Sequence, residues 1–180
     1  MAVWIALFRG INVGGNRILP MKELTALLEK LGHSDVRTYI QSGNAVFRSG
    51  RKNAAEIARQ IGAAVEKAKG FEPHVLVLSV ADLARAILAN PFPKAVTDHK
   101  SLHLFFLVSS PKKPNIAALN ALKTTGESFA IVGKVFYLHT PDGFGKSKLA
   151  TRVEALLGVE ATARNWRTVL AVDDITKRLS

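Results

Sequence analysis

The chain has no cysteine. That removes thiolate metal sites, thiol nucleophiles and disulfide staples together, and it suits a reducing compartment. Acidic residues are also few, 14 Asp+Glu against 25 Lys+Arg. Most of them fall on helix surfaces, so no carboxylate pair for general acid–base work stands out. The five histidines, His33, His74, His99, His103 and His139, are scattered and suggest no metal centre. No G-x-S-x-G elbow marks an activated serine. Long hydrophobic runs are missing as well. The first apolar stretch ends at Phe8 and Arg9 follows at once, too short for a membrane span and in the wrong order for a signal peptide. The expectation is a soluble, cytoplasmic protein with no membrane partner, no cofactor and no metal. Composition leaves the oligomeric state and any enzymatic activity open.

What is present is positive charge. The formal net charge is +11 over 180 residues. Residues 1–90 hold 12 Lys+Arg and 7 Asp+Glu, and residues 91–180 hold 13 and 7, so there is no basic tail. A basic surface favours anionic partners: nucleic acid, nucleotides or acidic metabolites.

Hydrophobic periodicity orders the chain. Residues 3–8 (VWIALF) read as a strand apolar on both faces, hence covered on both. Pro20 opens a helix in which Leu24, Leu27, Leu28 and Leu31 keep helical spacing to Gly32. Strands follow at 36–41 and 45–48, with Ser42–Gly43–Asn44 as the turn between them. A helix over 53–69 and a strand over 74–80 complete the order βαββαβ. A helix at 81–89 ends in Asn90–Pro91–Phe92–Pro93, and 93–100 read as a linker. The order then repeats: a strand at 102–108, a helix at 115–122, strands at 128–132 and 135–139 about Gly133–Lys134, and a helix at 146–157. A last helix, 165–179, stands where the final strand should be. The expected fold is α+β: two ferredoxin-like (βαββαβ-type) halves, the second degenerate, with an extra C-terminal helix. The expected division is 1–80, a connecting helix and linker over 81–100, and 101–180. Trp166 falls in phase with Val169, Leu170 and Asp173, which predicts a ring buried against the core.

Four stretches concentrate residue types that ligand contact uses more than packing does. The loop Arg9, Gly10, Asn12, Gly14, Gly15, Asn16, Arg17 combines backbone freedom with amide and guanidinium donors and leads into a helix N-terminus, where anions are favoured. Its G-x-x-x-G-G spacing is neither a dinucleotide fingerprint nor a Walker A loop. The turn Gln41, Ser42, Asn44 offers side chains that read equally as turn formers or ligand contacts. At 143–149, Lys146, Ser147 and Lys148 resemble part of a phosphate loop, but Thr140 stands where its first glycine belongs and no acidic Mg²⁺ partner is in sight. Weaker phosphate binding at a helix start remains. Finally, Arg164, Asn165 and Arg167 set two guanidinium groups about a helix cap.

RGINVGG (9–15), the helix opening at PM (20–21), TYIQSGNAVF (38–47), NPF (90–92), GFGKSKL (143–149) and TARNWRTV (162–169) together resemble the bacterial domain-of-unknown-function 1697 family. The resemblance spans nearly the whole chain. It implies soluble bacterial proteins of ferredoxin-like architecture, with no established activity and no catalytic residues to carry over.

The leading functional expectation is binding of an anionic, phosphate-bearing ligand, nucleic acid or nucleotide, at a Gly/Asn/Arg-rich surface on which the 9–17 loop, the 41–44 turn and the 162–168 segment converge. The alternative is an enzyme acting on a phosphorylated small molecule. In a ferredoxin-like sheet the first and third strands are antiparallel neighbours, which places Arg9–Gly10 beside Asn44.

Overall fold

The computed structural model describes residues 1–180. It contains two compact units, Met1–Arg85 with Ala171–Ser180, and Ala86–Leu170. Each unit is built on one four-stranded antiparallel sheet.

The first unit runs β1 (Ala2–Arg9), α1 (Met21–Lys30), β2 (Ser34–Tyr39), β3 (Asn44–Ser49), α2 (Ala54–Lys69) and β4 (His74–Ser79). The sheet order is β2-β3-β1-β4, the ferredoxin-like order expected from the βαββαβ pattern. Central β1 is buried on both faces, as its unbroken apolar run requires. Trp4, Ala6 and Phe8 join Ala45 and Phe47 beneath Leu24 and Leu28 of α1 and Ile57, Ile61 and Val65 of α2. Ile5, Leu7 and Val46 are buried on the other face. Asn53 caps α2 by accepting from the Glu56 N–H at 3.0 Å. Lys69 ties α2 to Glu23 of α1 at 2.8 Å. On the sheet's other face the Arg48 side chain meets Asp35 at 3.2 Å and donates to the Leu179 carbonyl, which fixes the end of the C-terminal helix.

β2 and its turn lie two residues earlier than the sequence pattern suggests. Asp35 takes a left-handed conformation (φ 53°) and a register irregularity falls between Ser34 and Arg37, so the strand begins at polar residues that read as loop.

The second unit, entered through α3 (Val80–Leu88) and a 3-10 turn over Pro93–Thr97, has β5 (Leu102–Leu107), α4 (Ile116–Leu122), β6 (Ser128–Val132), β7 (Val135–His139), α5 (Val153–Leu157) and β8 (Ala161–Asn165). Its sheet order, β6-β7-β5-β8, sets β5 in the place that β1 holds in the first sheet. Two readings need correction. The final strand is not missing: β8 pairs antiparallel with β5 from His103↔Asn165 to Leu107↔Ala161. The segment 146–157 is not one helix either. The Ser147 hydroxyl accepts the Ala150 N–H at 3.1 Å and opens a 3-10 turn over Ala150–Arg152, and only Val153–Leu157 is α-helical. The degeneracy of this half lies in its shortened helices.

α6 (Trp166–Leu179) follows β8 directly. Trp166 is 6% exposed, buried as its phase with Val169 predicts. No helix is long and apolar enough to cross a membrane.

His103 of β5 stacks on Phe144, with centroids 3.7 Å apart and rings within 15° of parallel. Its Nδ1 is buried without a partner. Burial therefore disfavours the imidazolium and lowers the pKa from 6.5 to about 4. The folded pKa lies below the unfolded one, so the unfolded chain takes up the proton first. The contribution from a neutral His103 is complete above about pH 6.5 and is lost as pH falls towards 4, a difference of roughly 3 kcal/mol. His33, its ring centroid 4.5 Å from that of Phe47 and tilted by 32°, with neither ring nitrogen partnered, is lowered by burial and then by the Arg51 charge, and it adds to the same slope. Urea unfolding at stepped pH should show stability falling below about pH 6.5, and His103→Phe should flatten that fall in large part.

Candidate functional site

The loop after β1 is held by one side chain. Asn12 Nδ2 donates to the Leu19 carbonyl at 2.9 Å and to the Gln41 carbonyl at 2.8 Å, and its Oδ1 accepts the Leu19 N–H at 2.8 Å. One amide thus closes the loop on itself and fastens it to the β2–β3 turn. Asn12 sits at φ 53°, a left-handed conformation that asparagine tolerates better than most residues.

Beyond Asn12 the chain makes a miniature hairpin. The Asn12 N–H donates to the Arg17 carbonyl and the Asn16 N–H to the Val13 carbonyl, each at 3.1 Å. Gly14 and Gly15 form the two-residue tip at φ 59° and 75°, the signs that a type I′ turn demands of both. The tip is exposed, and the N–H groups of Gly14 and Gly15 make no hydrogen bond within the chain. Asn16 donates only locally, to the Gly14 carbonyl at 3.4 Å. Arg17 is exposed at φ 50°. Its guanidinium folds back beside Gly10 and lies over the Phe71 ring, 5.9 Å from the centroid.

The turn meets this loop because β1 and β3 are antiparallel neighbours. Leu7 pairs with Asn44, and the Phe8 N–H donates to the Gly43 carbonyl at 2.8 Å. The expected proximity of Arg9–Gly10 to Asn44 is therefore present, and the two segments share one end of the sheet. The side chains differ in what they have left to offer. Asn44 is 1% exposed, and its Nδ2 donates to the Tyr39 carbonyl at 2.9 Å and to Ser42 Oγ at 3.3 Å, so it closes the turn from inside. Gln41 and Ser42 face solvent. Arg9 is half-buried at the strand end, opposite His74 of β4.

Sequence reasoning treats Gly43 only as a turn residue, and Phe71 does not figure in it. Gly43 has φ 86°, and a Cβ there would stand 2.6 Å from Ile11 Cδ1 and 2.7 Å from Phe8 Cβ. Both conformation and space demand glycine, because the turn packs directly on the loop's root. Phe71 carries no motif and reveals its role only through its place beneath Arg17. Ile40, a β-branched residue at φ 49°, adds a strained position to the same turn.

In the second unit, Lys146 and Lys148 are exposed, whereas Ser147 is 3% exposed and occupied with the Ala150 N–H. The helix start that would favour phosphate at these residues is replaced by 3-10 turns. Asn165 caps α6, its Oδ1 accepting the Thr168 N–H at 2.9 Å. Arg167 is exposed on the first turn of α6. Arg164 is half-buried on β8, its Nη1 donating to the Ala163 carbonyl at 2.9 Å. Burial pushes its pKa down to about 10, which still leaves it charged at neutral pH.

The first-unit geometry carries two expected outcomes. Asn12→Ala leaves two carbonyls and one N–H without their partner and should cost about 2–3 kcal/mol in chemical denaturation, with faster proteolysis within 10–19. Gly43→Ala should cost about 3 kcal/mol or more, whereas Gly15→Ala, strained in φ but facing open space, should cost roughly 1 kcal/mol.

Three comparisons place the chain among known proteins. A solved structure titled "The structure of conserved bacterial protein SP0830 from Streptococcus pneumoniae" is similar over 97% of this chain and 98% of that chain, with a TM-score of 0.74 and 22% sequence identity. That is a likeness of fold. No curated protein sequence matches. The family model described as "Protein of unknown function (DUF1697)" matches residues 1–137. The match takes in the 9–17 loop, the 41–44 turn and the Asn90–Pro91–Phe92 break, and on it the chain belongs to the DUF1697 family.

Proposed function

We propose that the protein binds an anionic, phosphate-bearing ligand, nucleic acid or nucleotide, on the first unit at the surface formed by the 9–17 loop and the 41–44 turn. The observation that carries this reading is a fixed, exposed loop tip with unspent donors. The free Gly14 and Gly15 N–H groups and the Arg17 guanidinium stand on a loop that Asn12 holds by three hydrogen bonds. Such donors suit phosphate oxygens, and a guanidinium adds a charge-assisted fork. Immobilising the loop in advance lowers the ordering cost of binding. Gln41 and Ser42, exposed on the adjoining turn, supply neutral hydrogen-bonding groups beside the charge. Asn12 and Asn44 serve as supports in this reading. Lys146, Lys148 and Arg167 of the second unit, all exposed, add to the positive field that draws anions in.

Titration of the full chain with single-stranded RNA, single-stranded DNA and a nucleotide panel at two salt concentrations tests the reading. A steep salt dependence with the polymers identifies nucleic acid. Saturable binding of one small phosphate compound identifies a nucleotide or metabolite, and its turnover would favour the enzymatic alternative. Arg17→Ala should weaken binding by about tenfold with the melting temperature nearly unchanged, since the side chain is exposed. Equal affinity of wild type and variant for every ligand would refute the assignment of this surface.

A further inference from the structure

The β6 edge of the second sheet carries neither a charged residue nor a bulge. β2 carries Asp35 and Arg37 and an irregular register. On β4 the terminal Ser79 N–H is taken by Asp82 Oδ2 at 3.1 Å. β8 carries Arg164. Charges and bulges are among the ways in which sheet edges avoid pairing with another chain. β6, Ser128-Phe129-Ala130-Ile131-Val132, has none of them. It pairs with β7 on one side only.

The outward groups of β6 follow from its hairpin. Val132 pairs with Val135 across the two-residue turn Gly133–Lys134. In such a hairpin the pair flanking the turn exchanges hydrogen bonds, and exchange then alternates along the strands. Val132, Ala130 and Ser128 therefore bond to β7, and Phe129 and Ile131 direct their N–H and C=O groups away from the sheet. Neither residue makes a hydrogen bond to any other part of the chain. The Phe129 and Ile131 side chains are only half-buried against the cluster of Phe105, Phe136 and Leu138.

We propose that β6 pairs antiparallel with β6 of a second copy of this chain, about a two-fold axis through Ala130, joining the two sheets into one. This register satisfies every group left over. Phe129 of each copy faces Ile131 of the other, and each of the two pairs exchanges two hydrogen bonds, four in all and two on each side of the axis. Ala130 meets Ala130 at the non-hydrogen-bonded position, where backbones come closest and a small side chain fits. Phe129 beside Ile131 is an aromatic–β-branched pair that continues the apolar layer from one copy into the next. Between Lys123 and Lys134 the only charged residue is Glu127, which is 5% exposed and accepts the Thr124 N–H through Oε2 at 2.9 Å. A chain of net charge +11 can thus approach its copy along a segment that carries no basic residue.

Sedimentation equilibrium of the full chain, with hydrogen exchange at high and low protein concentration, tests the pairing. At roughly 1 mM the mass should approach twice 19.5 kDa, with the Phe129 and Ile131 amides protected. On dilution those two amides should exchange freely while Ala130 and Val132, bonded to β7, stay protected. Val132→Lys, a substitution at an exposed position of the strand, places a charge on the edge and should weaken association by about tenfold. A mass of 19.5 kDa at every concentration, or a dimer in which the Phe129 and Ile131 amides exchange freely, overturns the proposal.

Discussion

A strand paired on both edges and covered on both faces can meet solvent only at its ends. β1 is such a strand, and much of the first unit follows from that constraint. Its residues are apolar without alternation because neither face is wet. Its neighbours must both run antiparallel, so the chain leaving β1 emerges where β3 begins. The loop after β1 and the turn before β3 are forced together by sheet order, before any side chain of either is considered. Asn12 then converts proximity into attachment: an amide with two donors and an acceptor suits three backbone groups that helix and sheet leave unpaired. Gly43 is the other half of the same joint, because a turn drawn this close has no room for a Cβ.

The same sheet order recurs in the second unit, yet the position after β5 holds different chemistry. In place of Gly10–Arg17 the chain reads Val108-Ser109-Ser110-Pro111-Lys112-Lys113-Pro114. Two prolines fix φ where the first unit uses glycines to reverse its sign. The Asn115 N–H donates to the Leu156 carbonyl, which ties this connection to α5. Topology has been kept in both halves while the glycine-rich loop is developed in one. Shortened α4 and α5 leave the second sheet with less helical cover than α1 and α2 give the first.

Legibility in the sequence tracked the strength of the local signal. The β6–β7 hairpin could be placed because two runs rich in apolar residues flank a Gly–Lys pair. α2 could be placed because Asn53 and Gly70 mark its ends. β8 was hidden: Ala-Thr-Ala-Arg-Asn lacks the β-branched and aromatic run that identifies a strand, and its membership comes from pairing with β5. The segment 146–157 misled in the opposite direction. Leu149, Val153 and Leu157 recur every four residues as in a helix, and all are buried, but the Ser147 hydroxyl starts a tighter turn that only later relaxes into α5. The candidate site divides similarly. That Gly, Asn and Arg gather at 9–17 is plain from the sequence, and so is the partnership with 41–44. Which asparagine supports and which faces outward is not, since the same amide serves a ligand or a backbone carbonyl with equal chemistry. Only the partners of Asn12 and Asn44 distinguish the roles.

The small hairpin from Val13 to Asn16 makes the tip a module separate from its anchor. The Asn12 contacts lie at Leu19 and Gln41, outside the hairpin, and the Val13–Asn16 bridge closes the tip on its own. Length and composition between those bridge residues are thus decoupled from sheet register, whereas the spacing from Asn12 to Leu19 across the bridge is not. A foreign turn grafted at the Gly14–Gly15 tip would inherit a rigid mount without disturbing the core.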